Sequence, residues 1–212
     1  MGRVNEMPFI TLEGIDASGK TTQIKFLERN LSQLGANQIV VTREPGGTIV
    51  GKEISHLVLK RKELDIFPST EVFLFAADRS QHVMQVIKPA LAEGKFVISD
   101  RFVDSSLAFQ GAAGMQTEFI QAVNQFAIAG VKPDLTIWLD IPVEVTIERL
   151  DLRGESDRLE SKGIGYLTRV REFYQKMADN EPYRFVRFDG TQAPDVIAKQ
   201  IRALCKERFF RQ

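Results

Sequence analysis

Gly14, Gly19, Lys20 and Thr21 stand in the order Gly-x-x-x-x-Gly-Lys-Thr within the stretch from Leu12 to Thr22. That spacing is the pattern of a loop that wraps phosphates. Its glycines let the backbone curl until successive N–H groups converge on an anion at a helix N-terminus. Lys20 supplies a flexible ammonium for the β- and γ-phosphates, and the Thr21 hydroxyl can ligate Mg²⁺. With Ile15, Asp16, Ala17, Ser18 and Thr22 these residues make up a candidate site for a nucleoside triphosphate. A second run, Gly46, Gly51 and Lys52, imitates the spacing, but Glu53 follows where the hydroxyl should be. It also falls inside a predicted helix, so it is set aside.

Further along the chain, Arg43 and Arg101 each follow an apolar run that reads as a strand. Two arginines at strand ends suit an acceptor that is itself a phosphate, because the guanidinium fork matches phosphate oxygens in pairs. Asp100, closing one of those runs, suits the acid that holds the Mg²⁺ shell or its water. Between Arg149 and Arg158 the chain is rich in arginine and reads as a lid. Such a lid excludes water and can bring an arginine to a transferring phosphoryl group.

Elements that would position these residues follow from the apolar periodicity. Strands are predicted over Pro8–Leu12, Gln38–Thr42, Phe96–Ser99, Leu135–Leu139 and Phe185–Phe188. The first helix carries Ile24, Leu27, Leu31 and Leu34 on one face and stops at Gly35. Thr48 caps a helix through Ile54, Leu57 and Val58. A long helix over Pro68–Glu93 is bent or ended near Pro89. Others are predicted within Ser105–Ala113 and over Thr117–Ala129, Pro142–Leu152, Tyr166–Asn180 and Pro194–Glu207, with Arg153–Gly165 an exposed, mobile segment. Alternating helices and near-continuous apolar strands mark an α/β fold with a parallel sheet covered on both faces. Ligands in such sheets bind beyond the carboxyl ends of the strands. Gly14, Arg43, Asp100, Arg101, Asp140 and Asp189 all fall there.

The bulk properties exclude several alternatives. With 212 residues and a formal net charge of +0, the chain has the length of one domain and no basic excess for nucleic acid or a membrane surface. Cys205 is the sole cysteine, so no intrachain disulfide can form and a reducing compartment is expected. The start, Met1 to Met7, has no signal-peptide core, and no apolar run approaches the ~20 residues of a membrane helix. A cytoplasmic protein is expected. The guanine-reading Asn-Lys-x-Asp motif of GTP-binding switches is absent from the sequence.

Taken together, the motifs resemble the thymidylate kinase family of nucleoside monophosphate kinases. The matching segments are Leu12–Thr22, Thr42–Thr48, Leu74–Arg79, Asp100–Phe102 with Ser105 to Gly111, Asp134–Asp140, Asp157–Glu160 and Arg169–Arg171, in family order over nearly the whole chain. The resemblance implies a P-loop NTPase fold: one domain over 1–212, a five-stranded parallel sheet with helices on both faces, and a mobile lid at about 149–165. It implies Mg²⁺-dependent transfer from ATP to dTMP, giving ADP and dTDP, and a homodimer. It also implies roles for matched positions. Asp16 would approach the sugar 3′-hydroxyl, Arg43 would bind the acceptor phosphate, and Arg101 would lie between donor and acceptor phosphates. Phe75 would stack on thymine, and Arg79 would hydrogen-bond a thymine carbonyl. Ser105, Ser106 and Gln110 would line the base pocket, with Phe109 under the deoxyribose. One branch of the family carries a catalytic arginine directly after the loop acid and the other carries it in the lid. Here that position is Ala17, so the resemblance points to the lid, with Arg153 the choice and Arg149 and Arg158 the alternates. Lys20, Arg101 and Arg153 are thus the expected catalytic residues, and Thr21 and Asp100 the expected metal residues. Phe102 stands where the family usually has Tyr or His.

Overall fold

A computed structural model describes residues 7–154, 158, 159 and 162–210, with the side chain of Arg153 outside that set. Its centre is β1, Phe9–Glu13, a strand buried at every position. The apolar runs on either side become β2 (Ile39–Arg43), β3 (Phe96–Asp100), β4 (Leu135–Asp140) and β5 (Phe185–Asp189). They form one parallel sheet in the order β2-β3-β1-β4-β5. β1 and β4 are buried along their whole length, whereas the edge strands β2 and β5 are only partly buried and carry Thr42 and Arg187 within their apolar runs.

Helix α1 (Lys20–Leu34) and helix α9 (Pro194–Phe209) pack together on one face. Ile24, Leu27 and Leu31 of α1 are buried there, at roughly 1.5–3 kcal/mol each. Gly35 stops α1 with φ 108°, its N–H bonded to the carbonyls of Leu31 and Ser32. On the other face lie α5 (Val103–Ala112), α6 (Thr117–Ala127) and α8 (Ile164–Asn180), with α7 (Val143–Arg153) leading toward the lid. Near β2 and β3 come α2 (Ile49–Ser55), α3 (Pro68–His82) and α4 (Lys88–Ala92). Pro89 does not end the long helix. A π-wound turn, Val83–Ile87, joins α3 to α4 and accommodates a ring that has no N–H to donate.

Register aligns the strand ends. Asp100 lies opposite both Leu12 and Arg43, and Asp140 opposite Asp189. The loop after β2 is held there by α3. Asp78 Oδ1 accepts the Gly46 N–H at 3.0 Å, and a Cβ at Gly51 would lie 2.2 Å from that oxygen. The Gly46/Gly51 pair that imitates a phosphate loop is therefore a turn plus a close helix crossing; Gly46 has φ 98°.

Asp78 gives the fold a pH dependence. Its Oδ2 is buried with no hydrogen-bond partner among the described residues, and burial pushes its carboxyl up to about 6 although the Gly46 N–H pulls it down. The folded value lies above the ordinary 3.8, so the folded state holds the proton more tightly. This contribution is fully present below about pH 4 and is lost as pH rises through about 6, amounting to about 3 kcal/mol. Urea unfolding of the wild type and of Asp78→Asn across pH 4–8 checks it. The wild type is expected to lose stability relative to the variant as pH rises; a constant difference would refute the assignment.

Candidate active site

The loop after β1 has a shape only its own residues permit. Gly14 has φ 139°, and a Cβ there would lie 2.6 Å from the Leu139 carbonyl oxygen and 2.9 Å from Ser18 Oγ. Gly19, with φ 97°, turns the chain into α1. Lys20, the first residue of α1, folds back so that Nζ donates to the carbonyls of Gly14 at 3.1 Å and Ile15 at 3.0 Å. Burial holds its pKa below the ordinary lysine value and the Arg101 charge adds to this, while Asp16, Asp100 and Glu13 oppose it. Ammonium and loop amides are thus arranged around a space for phosphate.

That space opens into a cleft of about 550 Å³ at the carboxyl ends of the strands. Its donor side is Asp16, Ala17, Gly19, Lys20, Thr21 and Thr22. Facing these are Arg43, Phe75, Arg79, Asp100, Arg101, Ser105, Ser106, Phe109 and Gln110. Gly14, Ile15 and Ser18 belong to the loop but not to the cleft lining; Ile15 and Ser18 are buried beneath it. Of the expected site residues only Arg153 cannot be placed, since its side chain lies outside the described set. Asp157 and Glu160 of the lid motif lie outside it too.

Arg101 is the centre of this cleft. Its backbone is left-handed, φ 71°, an unusual state for a residue with a side chain. Neighbours hold it there: its N–H bonds to Leu12 O at 2.9 Å, its carbonyl accepts the Ser99 hydroxyl at 2.7 Å, and the next N–H, of Phe102, donates to Glu13 Oε1 at 2.8 Å. The guanidinium donates to Asp16 Oδ1 at 2.8 Å, Ser105 Oγ at 3.1 Å and Tyr174 Oη at 3.3 Å, and lies 4.8 Å from the centre of the Phe109 ring. Glu13 Oε2 accepts from Ser105 Oγ at 2.6 Å and Tyr174 Oη at 2.8 Å. Burial and the nearby Asp104 push the Glu13 carboxyl up to about 7 against the pull of Arg101. Sequence reasoning missed Glu13 and Tyr174. The signal for Glu13 was there, a charge closing a wholly buried, mostly apolar central strand; Tyr174 reads as one more residue on an amphipathic helix face.

Arg79, on α3, is buried against the far wall. Nε donates to Glu44 Oε2 at 2.8 Å, Nη1 to Ser106 Oγ at 2.9 Å and to Asn124 Oδ1, and Nη2 to the Phe102 carbonyl at 3.1 Å. Glu44 also pairs with His82 Nδ1 at 2.8 Å, and the Glu44–Pro45 peptide is cis. Phe102 is fully buried, edge-on to Phe9 at 5.0 Å, so it belongs to the core rather than to the pocket surface.

The lid segment corrects one expectation. Arg153–Gly165 was expected to be exposed, yet Leu159 is buried and lines the cleft, because an apolar side chain gains by covering the pocket mouth. Arg158 donates to the Val58 carbonyl at 2.8 Å and pairs with the buried Glu71 carboxylate, which also accepts from Gln110 at 3.3 Å. Arg149 donates to the Ala17 carbonyl at 2.8 Å. The Asp189–Gln192 turn packs behind the loop, where a Cβ at Gly190 would meet Ser18 O at 3.3 Å.

A phosphate loop joined by an arginine to a second anion-ready wall defines a phosphotransferase with a phosphorylated acceptor, the class of nucleoside monophosphate kinases. A family model described as thymidylate kinase matches residues 12–201. Relatives named thymidylate kinase include one from Thermoanaerobacter sp. strain X514, 46% identical over 94% of this chain and 97% of its own. Another, from Desulfosudis oleivorans, is 44% identical over 92% and 95%. A crystal structure of thymidylate kinase from Ehrlichia chaffeensis has a TM-score of 0.77 and 31% identity, covering 95% of this chain and 99% of that one. The chain belongs to the thymidylate kinase family.

Proposed function

We propose that the described cleft carries the family's phosphoryl transfer from ATP to dTMP with the following division of work. Lys20 and the loop amides receive the β- and γ-phosphates of ATP; binding replaces the Lys20 bonds to Gly14 and Ile15 with bonds to phosphate. Arg43 and Arg101 receive the phosphate of dTMP, and Asp16 meets its sugar. Phe75, Arg79, Ser105, Ser106, Phe109 and Gln110 surround sugar and base. The observation that carries this reading is the 2.8 Å bridge from Arg101 to Asp16, which joins the donor loop to the acceptor wall. Transfer of this kind needs alignment and charge neutralisation, and no covalent enzyme intermediate.

Mg²⁺ fits the residues present. Asp100 Oδ1 is buried with no hydrogen-bond partner among the described residues, and Thr21 lines the same cleft. Among the described residues no three His, Cys, Asp or Glu side chains cluster to hold a metal by themselves. An ion held by one hydroxyl, one carboxylate or its water, and the nucleotide's phosphates suits Mg²⁺. Bound there, it would neutralise charge on the β- and γ-phosphates.

For the lid we propose Arg153 as the arginine that reaches the transferring group. Ala17 leaves the loop without an arginine after Asp16, which supports a lid arginine; of the alternates, Arg158 bonds Val58 and Glu71, and Arg149 bonds Ala17. Alanine variants of all three separate them: Arg153→Ala is expected to lose the most kcat, and a larger loss at Arg149 or Arg158 moves the role there. Acceptor choice is tested by ADP release with dTMP, dUMP, UMP, CMP and AMP. Fastest turnover is expected with dTMP; a ribonucleotide turned over faster would overturn the assignment.

A homodimer is part of the proposal. Phe73 on α3 and Phe126 on α6 are exposed, these helices pack side by side, and Phe73 meets Phe119 edge-on at 5.6 Å. Light scattering decides it. A cytoplasmic location is proposed on the single cysteine, Cys205, whose thiol burial pushes up to about 12. No helix among the described residues is long and apolar enough to cross a membrane.

A further inference from the structure

Arginine offers five N–H donors in a rigid plane. At Arg79 four of them are taken by Glu44, Ser106, Asn124 and Phe102, which leaves one on Nη2 among the described residues, on a residue that lines the cleft. The acceptors come from three separate segments, the loop after β2, the start of α5 and α6, so the guanidinium plane is fixed against rotation. Asn124 is the least expected of them. It is buried in the last turn of α6, where a buried amide is costly unless paired. Its Nδ2 donates to the Ile120 carbonyl at 2.8 Å, which turns Oδ1 toward Arg79.

We propose that Asn124 is a positioning residue for base selection, fixing Arg79 so that a single N–H faces the base. A pyrimidine presenting a carbonyl to that N–H pairs with it. One presenting an exocyclic amine sets donor against donor in a buried site, the costly mismatch that gives strong discrimination. Without Asn124 an Nη1 donor loses its partner and the plane can tilt, so the amine-bearing base is penalised less and the carbonyl-bearing base is held less well. The inference rests on the assignment of Arg79 to the base.

The test compares kcat/KM for dTMP and dCMP in the wild type, Asn124→Ala, Arg79→Ala and the double variant. For Asn124→Ala the dTMP/dCMP ratio is expected to fall at least tenfold, mainly through KM for dTMP, with KM for ATP little changed. The double variant should match Arg79→Ala alone, because Asn124 acts through that side chain. Should Arg79→Ala leave the ratio intact, the assignment of Arg79 is what fails. Should Arg79→Ala lower the ratio while Asn124→Ala does not, or should the two effects add, the role of Asn124 fails. Asn124→Leu, which fills the space without an acceptor, gives the same readout if the alanine variant does not fold.

Discussion

Replacing Arg101 with alanine is expected to lower kcat by about 10³-fold or more, equivalent to about 4 kcal/mol of barrier. The size follows from its position. The guanidinium is partly buried between the donor loop and the acceptor wall, bonded to Asp16, Ser105 and Tyr174 and resting on Phe109. In such a place a cation is screened far less than at a surface and needs little reorganisation when charge develops. Burial would drain its charge, but the carboxylates of Asp16, Glu13 and Asp100 hold its pKa above the ordinary arginine value. Arg101→Lys should recover only part of the loss, since one ammonium cannot serve both the Asp16 side and the Ser105–Tyr174 side at fixed angles. Steady-state kinetics in both substrates, with near-UV circular dichroism to confirm folding, measure this. A kcat within tenfold of wild type for the alanine variant would remove Arg101 from the transfer step.

The second large effect concerns stability and lies behind the sheet. Arg184 binds Asp104 in a bidentate pair at 2.7 and 3.0 Å and also donates to Thr136 Oγ1 at 2.8 Å. Thr136 in turn donates to Asp104 at 3.0 Å and meets the Thr11 hydroxyl at 2.9 Å. Asp104 and Thr136 are almost wholly buried, so the network ties β1 and β4 to α5. Arg184→Met would strand the Asp104 charge, at a cost of about 3–5 kcal/mol. For a chain of this size that is a loss of roughly 6–20 °C in Tm. Asp104→Asn combined with Arg184→Met should recover a good part of it by removing the stranded charge. Scanning calorimetry of both checks the pair, and a single variant within 2 °C of wild type would show that water reaches Asp104.

How much of this was legible in the sequence depends on how local each feature is. The phosphate loop was legible because Gly14, Gly19, Lys20 and Thr21 are neighbours whose types the loop's shape dictates. Five apolar runs announced the parallel sheet, and the ends of those runs pointed to Arg43, Asp100 and Arg101. Residues brought in from distant segments were not legible. Tyr174 reaches Glu13 from α8, and Asn124 reaches Arg79 from α6, through contacts that periodicity cannot express. The π-wound turn before Pro89 and the burial of Leu159 were missed for a related reason. Local rules say that proline stops a helix and that charged segments are exposed, and tertiary packing overrode both.

The left-handed backbone at Arg101 places a local conformational cost under the side chain that joins the two halves of the cleft. A side chain in that region costs about 1–2 kcal/mol that glycine would not incur. Glycine at 101 would relieve that cost but leave Asp16, Glu13 and Asp100 without the cation that sits among them, a larger loss for buried or partly buried acids. Hydrogen bonds from Ser99 to the Arg101 carbonyl and from the Phe102 N–H to Glu13 offset that cost, so the turn and the ion network hold one another in place.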